Sequence, residues 1–522
     1  MSKKYTILKG TFILTTTGII TRLIGFFYRV YLSQTFGEEG VGLYQLIFPV
    51  YALCFSLTAA GIETTISRCV ARKAALGKLQ EAREFLFTGM SISFLLSCIV
   101  TIFLQNNAHM IAVYFIGETR CIPLLTAMSY AFPFAAIHSC ICGYYLGLKR
   151  TGIPAASQLI EQIARVLSVY LFSLYLLHDQ GTLSVTLAVS GLVAGEIFSS
   201  LFCAQMFFHT HHLHPVHTSI QTVHRCLSYV GELFRLSVPL TANRILLNLL
   251  QSIEAISIPK ALITYGSNRS EALSLYGVLT GMALPCILFP SALTNSISVM
   301  LLPTVAELQA SQKRETLLLL IKKVFFCCFA LGLSCTIGFL LFGRFIGSTL
   351  FHSTLAGSLI LTLAWICPFL YTNSTLVSIL NGLGYTVSSF FVNTVGLLLR
   401  IASVFFLIPL AGIRGYLWGL LGSQLTITHF SVSGNSSIFF IGIPQSDATQ
   451  KAYFDQRILP LSEYAFSSHN SLHHFTNKRM TAFKHTGLIY ASKAIPVRNI
   501  RPVKMLFPLF HLTCGDKYRY HR

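Results

Sequence analysis

Six arginines interrupt long apolar runs or stand at their ends: Arg22, Arg29, Arg165, Arg235, Arg244 and Arg400. An arginine at membrane depth costs about 2.5–3.5 kcal/mol on insertion scales, so each needs compensation. A guanidinium fork matches phosphate oxygens two at a time. One compensation is therefore a phosphate or another anionic headgroup in an internal cavity. The others are snorkelling to the headgroups and pairing with a buried carboxylate. Arg22 lies deep in its run and reads as cavity-lining, with Arg244 as a helper. Arg29 and Arg235 stand nearer the run ends, where snorkelling suffices. Arg165 and Arg400 are open between the cavity and a structural pairing.

Carboxylates in apolar runs can bind a proton or sodium and couple transport to a gradient, or can neutralise an arginine. They are Glu161, Glu196 and Glu254, with Glu63 and Glu232 at edges. Glu161 and Arg165 are four apart, the spacing of a salt bridge on one helix face. Glu254, ten residues after Arg244, is the candidate for ion coupling.

Other chemistry has less support. The 14 cysteines are scattered with no C-x-x-C pair, so they carry neither a zinc nor a redox motif and read as small apolar packing residues. The run HTHHLHPVHTSIQTVH at 209–224 holds six histidines without regular ligand spacing and reads as a polar linker, not a metal site. Phosphate loops, catalytic triads, metal-hydrolase motifs and cofactor fingerprints are missing, which argues against an enzyme. The prolines Pro49, Pro133, Pro239, Pro285, Pro290 and Pro368 lie inside apolar runs, where they bend helices; Pro133 and Pro368 are the hinge candidates.

The elements that must position these residues are membrane helices. The chain has 522 residues, 53% hydrophobic and only 11% charged, with a mean hydropathy of +0.64. That is the composition of an all-α, multi-span membrane protein. A spanning helix needs about 20 apolar residues, and twelve stretches qualify: 8–31, 41–62, 85–105, 122–146, 154–178, 183–208, 233–258, 273–302, 320–342, 357–381, 386–409 and 412–430. The first run is too long for a cleavable signal and remains as the first helix. With the N-terminus cytoplasmic, inside segments hold fifteen Lys/Arg and outside loops five, the expected bias. The net charge of +20 is thereby a membrane feature and does not indicate nucleic acid. The basic stretch 63–84 reads as a headgroup-level helix or a solvated connector between spans two and three.

The chain repeats itself. A constant offset of 235 aligns Pro133 with Pro368, Gly147 with Gly382, Thr151 with Thr386, Arg165 with Arg400 and Ser168 with Ser403. A second match pairs Leu43-Tyr44 with Leu275-Tyr276 at an offset of 232. Two parallel six-helix bundles follow, 1–220 and 221–430, the arrangement in which one half rocks against the other. Residues 431–522 break the pattern. They read as a basic extension without a compact fold, or as the product of a reading-frame change.

The segment TRLIGFFYRVYLSQTFGEEGVGLYQLIFPVYALCFSLTAAGIETTISRCVARK (21–73) resembles the polysaccharide-transporter branch of the MATE-like (MOP) flippase superfamily. So do GYYLGLKRTGIPAASQLIEQIARV (143–166), ALPCILFPSALTNSISVMLLPTVAE (283–307) and LNGLGYTVSSFFVNTVGLLLRIASV (380–404). The resemblance covers about residues 5–428 and extends to lipid II flippases and sporulation proteins. It implies a plasma-membrane flippase that moves an undecaprenyl-pyrophosphate-linked saccharide, a peptidoglycan precursor of the spore cortex, by alternating access. It implies that Arg22, and less directly Arg29, meet the pyrophosphate, with Arg68 at the cytoplasmic mouth. The alternatives are a drug or cation antiporter of the same superfamily, which needs an acidic cavity, and a sporulation-membrane scaffold without transport. A polyprenyl-phosphate glycosyltransferase needs carboxylates in a sizeable loop, and the loops are short.

Overall fold

The computed structural model describes residues 3–178, 184–210 and 220–440, and among these every regular element is helical. The first two spans begin as one long helix, α1 (Lys3–Leu46), kinked at Gly37, whose φ of 68° only glycine adopts without strain. The second span continues through α2 (Phe48–Phe55), a π-helical turn (Ser56–Ala60) and α3 (Gly61–Ala75). The third is α4 (Leu79–Met110), extended by a π-helical turn. The fourth is bent by 45° between α5 (Ile122–Ser129) and α6 (Ala131–Gly147). Then come α7 (Gly152–His178), α8 (Thr186–Thr210) and α9 (Ile220–Tyr265). The eighth span is broken into α10 (Arg269–Gly277), α11 (Leu284–Leu288) and α12 (Ser291–Ala310). α13 (Arg314–Leu350), α14 (Thr354–Leu363) with α15 (Cys367–Gly382), α16 (Thr386–Phe406), α17 (Ile408–Ala411) and α18 (Ile413–Phe440) complete the described chain.

Eight of these helical stretches are long and apolar enough to cross a membrane, or nine with the bent fourth span. One of them, Phe12–Ala75, holds two of the expected spans on either side of the Gly37 kink. All twelve expected stretches fall on helix, within a few residues at their ends.

Three expectations are corrected. Residues 63–75 do not form a separate headgroup helix. They prolong the second span, because no breaker intervenes until Gly77 at φ 76°. The pattern break expected near 430 lies at least ten residues later, since α18 runs to Phe440. The offset of 232 is replaced by 235 throughout, as the packing shows. A Cβ on Gly147 would meet the Ser67 carbonyl at 2.6 Å and Val70; one on Gly382 would meet the Leu302 carbonyl at 2.8 Å and Val305. Both contacts recur at 235. So does a reciprocal one: Gly42 lies against the Leu273 carbonyl and Gly277 against the Glu38 carbonyl. The later tail, and most of the histidine run at 209–224, lie outside the described residues.

The buried apolar residues form three clusters. One joins both halves at the end of the molecule that carries the Gly37 kink and the turns at 117–121 and 266–268. It includes Leu43, Ile47, Ile116 and Leu124 of the first half with Leu262, Leu273, Phe351 and Leu363 of the second. At the opposite, basic end the buried residues fall into two separate clusters. One is built on Ile66, Phe85 and Tyr145, the other on Val305, Leu317 and Ile379. Tyr229 and Leu233 of α9 join the first of these, so the seventh span leans on the first half.

Candidate anion cavity and its buried ion pairs

The first helix positions two of the expected arginines together. Arg22 and Arg29 are seven residues apart, which returns to within about 20° of the same face after two turns. Both are exposed. On one side of that face, Tyr28 is buried with its hydroxyl 3.5 Å from the Ala188 carbonyl, and Gly25 lies against Gln162. On the other side Phe26 packs on Phe289 and Phe351 of the second half, with ring centroids 5.3 and 6.1 Å apart. The arginine face therefore points between the halves, and Phe27, 58% exposed, points away from them.

A cavity wall comes from the second and seventh spans. A cavity of about 380 Å³ is lined by Tyr51, Phe55, Ser56, Arg244, Asn248 and Gln251, among others. Arg244, Asn248 and Gln251 form one stripe on α9, spaced four and three apart. Arg244 Nη2 donates to Thr64 Oγ1 at 3.1 Å, and Asn248 Nδ2 donates to Ser56 Oγ at 2.5 Å and to the Ala52 carbonyl at 3.2 Å. Helices come this close because Gly61 faces Thr241; a Cβ there would sit 1.9 Å from the threonine hydroxyl. Arg68 is exposed one helical turn beyond Thr64 on α3, while Arg72 on the same helix is tied to Glu232. Arg235 is exposed on α9. Of the four arginines expected to bind substrate, Arg244 lines this cavity, and Arg22, Arg29 and Arg68 are exposed outside its lining.

The two repeat-related arginines are held by carboxylates. Arg165 is paired with Glu161 on its own helix, as the spacing predicts. Arg400 Nη2 lies 3.3 Å from Glu254 Oε2 across α16 and α9, and the Tyr416 hydroxyl donates to Glu254 Oε1 at 2.9 Å. Glu254, the expected ion-coupling residue, thus already has a cation and a hydrogen-bond donor. Glu196 is held in a third way: the Tyr51 hydroxyl donates to it at 3.0 Å and His138 Nδ1 lies 3.3 Å away. Tyr51 and His138 were not among the expected residues. The signal for His138 is an ionisable residue inside an apolar run, itself a reason to expect a function.

Pro133 and Pro368 each occupy the first turn of the helix that follows a break in its span, α6 and α15. There the missing N–H has no intrahelical partner to lose. A second, mostly apolar cavity of about 360 Å³ lies between α16 and α18, lined by Phe406, Trp418 and Thr426 among others.

Comparison with known proteins gives this geometry its context. A family described as polysaccharide biosynthesis protein matches residues 7–309. Stage V sporulation protein B of Bacillus subtilis (strain 168) is 27% identical over 442 residues, 84% of this chain and 85% of that protein. The lipid II flippase MurJ of the same organism is 25% identical over 324 residues, 59% of this chain and 58% of that one. A solved lipid II flippase MurJ in an inward closed conformation superposes with a TM-score of 0.64 at 13% identity, covering 88% of this chain and 94% of that one. An inward-facing multidrug resistance MATE transporter gives 0.60 at 16% identity, covering 82% and 98%. The fold is that of these solved MATE and MurJ structures, and the relatives include a lipid II flippase and sporulation proteins. With its family match spanning more than half its length, the chain belongs to the polysaccharide biosynthesis protein family of multi-pass membrane proteins.

Proposed function

We propose that this chain flips an undecaprenyl-pyrophosphate-linked saccharide, a peptidoglycan precursor used in the spore cortex, across the plasma membrane by alternating access. The observation that carries the reading is the arginine face of α1. Arg22 and Arg29 are exposed on one face of α1, between contacts to each half, and in this reading they would face the cavity that Arg244 lines. Pyrophosphate carries several negative oxygens, and bidentate guanidinium contacts suit it. Arg68 would receive it at the cytoplasmic mouth, with the N-terminus of the chain on that side. The polyprenyl tail would stay in the bilayer, since the cleft opens between helices.

Residues 1–220 and 221–430 would act as the two rocking bodies. The cluster shared at one end, and the two clusters at the basic end bridged there by α9, support a reading in which the basic end would be the one that opens. Pro133 and Pro368, at breaks in equivalent spans, are the hinges in this reading. Glu254 is the carboxylate assigned to a coupling ion, because a proton or sodium there would compete directly with Arg400.

The test is reconstitution of the full chain in liposomes with fluorescent lipid II, read by an impermeant quencher. Movement that saturates with lipid II and fails in Arg22→Ala supports the proposal. No movement, with or without a sodium or proton gradient, overturns it in favour of a scaffold. Movement of organic cations but not lipid II overturns it in favour of drug export.

A further inference from the structure

Beneath the cavity wall, three metal-ligating side chains converge in the first half. His138 and Cys142 stand one turn apart on one face of α6, and Cys203 faces them from α8. All three are buried, and one ligand atom of each lies within 4.8 Å of the others. Cys142 Sγ is 3.9 Å from Cys203 Sγ. Ser157 Oγ of α7 lies 3.3 Å from Cys142 Sγ and 3.1 Å from His138 Nε2.

We propose that His138, Cys142 and Cys203 form a Zn²⁺ site, with the Ser157 hydroxyl at its fourth corner. The distances support this. Tetrahedral zinc with Zn–S of about 2.3 Å puts two sulfurs about 3.8 Å apart, and its N–O and S–O edges are about 3.4 and 3.6 Å. The observed S–S edge matches within about 0.1 Å, and the two edges to Ser157 are about 0.3 Å short. Donor chemistry also selects the ion: two thiols and an imidazole suit zinc and disfavour magnesium or calcium. Binding releases the two thiol protons, and two thiolates neutralise the ion. The ion with its two thiolates then carries no net charge, which lessens the cost of burying it in a low-dielectric interior.

The surroundings have the form of an outer shell. The other imidazole nitrogen, His138 Nδ1, lies 3.3 Å from both Glu196 Oε2 and Ser199 Oγ. A carboxylate behind a metal-bound histidine fixes its tautomer and orientation. Glu196 in turn accepts from the Tyr51 hydroxyl, and Tyr51 lines the cavity. Zinc would thus clamp α6 to α8 and set the position of one cavity-wall side chain. The proposal is independent of what the cavity carries.

The experiment uses the purified full-length protein in detergent, with Zn²⁺ and Co²⁺ as probes. One zinc per chain is expected, with an X-ray absorption shell of two sulfurs at about 2.3 Å, and Co²⁺ should give a thiolate charge-transfer band. Cys142→Ser and Cys203→Ser should each lower zinc affinity at least 100-fold while the chain still elutes as a monodisperse peak. Glu196→Gln, which touches no metal ligand atom, should weaken binding about 10–100-fold and keep the two-sulfur shell. A shell of nitrogen and oxygen alone in the unsubstituted protein overturns the proposal, because it places zinc on other histidines. So does zinc binding that survives both cysteine substitutions.

Discussion

Gly42 and Gly277 pack against each other as equivalents. A Cβ on Gly42 would lie 2.3 Å from the Leu273 carbonyl, and one on Gly277 would lie 2.3 Å from the Glu38 carbonyl. Both pairs are related by the same offset of 235. Two equivalent residues that touch must lie near the axis relating them, as in a two-fold interface between subunits. The crossing needs small residues to let the backbones meet, and in the proposed rocking motion it would be the pivot. Gly42→Ala or Gly277→Ala forces a carbonyl aside and should cost the closed crossing about 1–3 kcal/mol. Spin labels at the exposed positions Thr119 and Asn268 should report a longer distance in either variant. An unchanged distance distribution would remove the crossing from the gate.

The arginine face of α1 makes a graded expectation. Arg22→Ala should lower lipid II translocation at least tenfold, about 1.4 kcal/mol of lost contact, with normal membrane insertion. Arg22→Lys should retain part of the activity, since lysine keeps the charge but loses the planar fork. Phe27→Ala, on the outward face of the same helix, should leave translocation near normal. Equal loss in Arg22→Ala and Phe27→Ala would mean that helix integrity, and not the cation, is being measured.

Arg400 and Glu254 should be unequal partners. Glu254 is the more buried, with 8% of its side chain accessible against 26% for Arg400. Arg400→Gln strands the buried carboxylate, whereas Glu254→Gln strands a cation that water partly reaches. Breaking a buried pair costs about 3–5 kcal/mol; with Arg400 part-exposed, about 1–3 kcal/mol is expected for Arg400→Gln and less for Glu254→Gln. The double variant should recover part of the loss, because neither charge is then unpaired. Thermal unfolding of the three variants checks the order. If Glu254 couples an ion, Glu254→Gln should also abolish the dependence of transport on the gradient while slow, gradient-independent movement remains.

The helical stretches and the repeat spacing were legible in the sequence because apolar length and spacing are local or periodic signals. Glu161–Arg165 was legible for the same reason, being four residues apart on one helix. Arg400–Glu254 was not, since 146 positions separate them and only packing of α16 on α9 brings them together. Gly147 and Gly382 stood out as a repeated identity, but the reason, a carbonyl at 2.6 or 2.8 Å from any added Cβ, is visible only in three dimensions. The offset of 232 failed because Leu-Tyr is a common pair in apolar helices and carries little register information. Cys142 and Cys203 escaped attention because zinc spacing rules describe ligands close in sequence, whereas these are 61 positions apart on neighbouring helices.

At the end that carries the turns at 117–121 and 266–268, Glu118 joins the halves. Arg120 Nε of its own half lies 2.9 Å from Glu118 Oε1, and Arg269 Nε of the other half lies 3.3 Å from Glu118 Oε2. Arg120 also reaches Glu39 at 2.7 Å, and Glu39 accepts from Ser270 at 2.7 Å. Burial by itself would raise the Glu118 carboxyl. The hydrogen bonds from Arg120 and the charges of Arg120 and Arg269 outweigh it and hold the carboxyl below its ordinary value. A carboxyl so lowered favours closure fully above the ordinary glutamate value of about 4.3, and loses that contribution as pH falls through the lowered one. The Thr119–Asn268 label distance should therefore stay short at neutral pH and lengthen only below about pH 4.3. Glu118→Gln should show a longer distance already at pH 7 and a smaller change on acidification, the remainder coming from Glu39, whose carboxyl is also lowered by Ser270 and Arg120. Glu84→Gln, at the basic end, should leave the profile unaltered. A profile that is the same with and without Glu118 would place the acid response elsewhere in the chain.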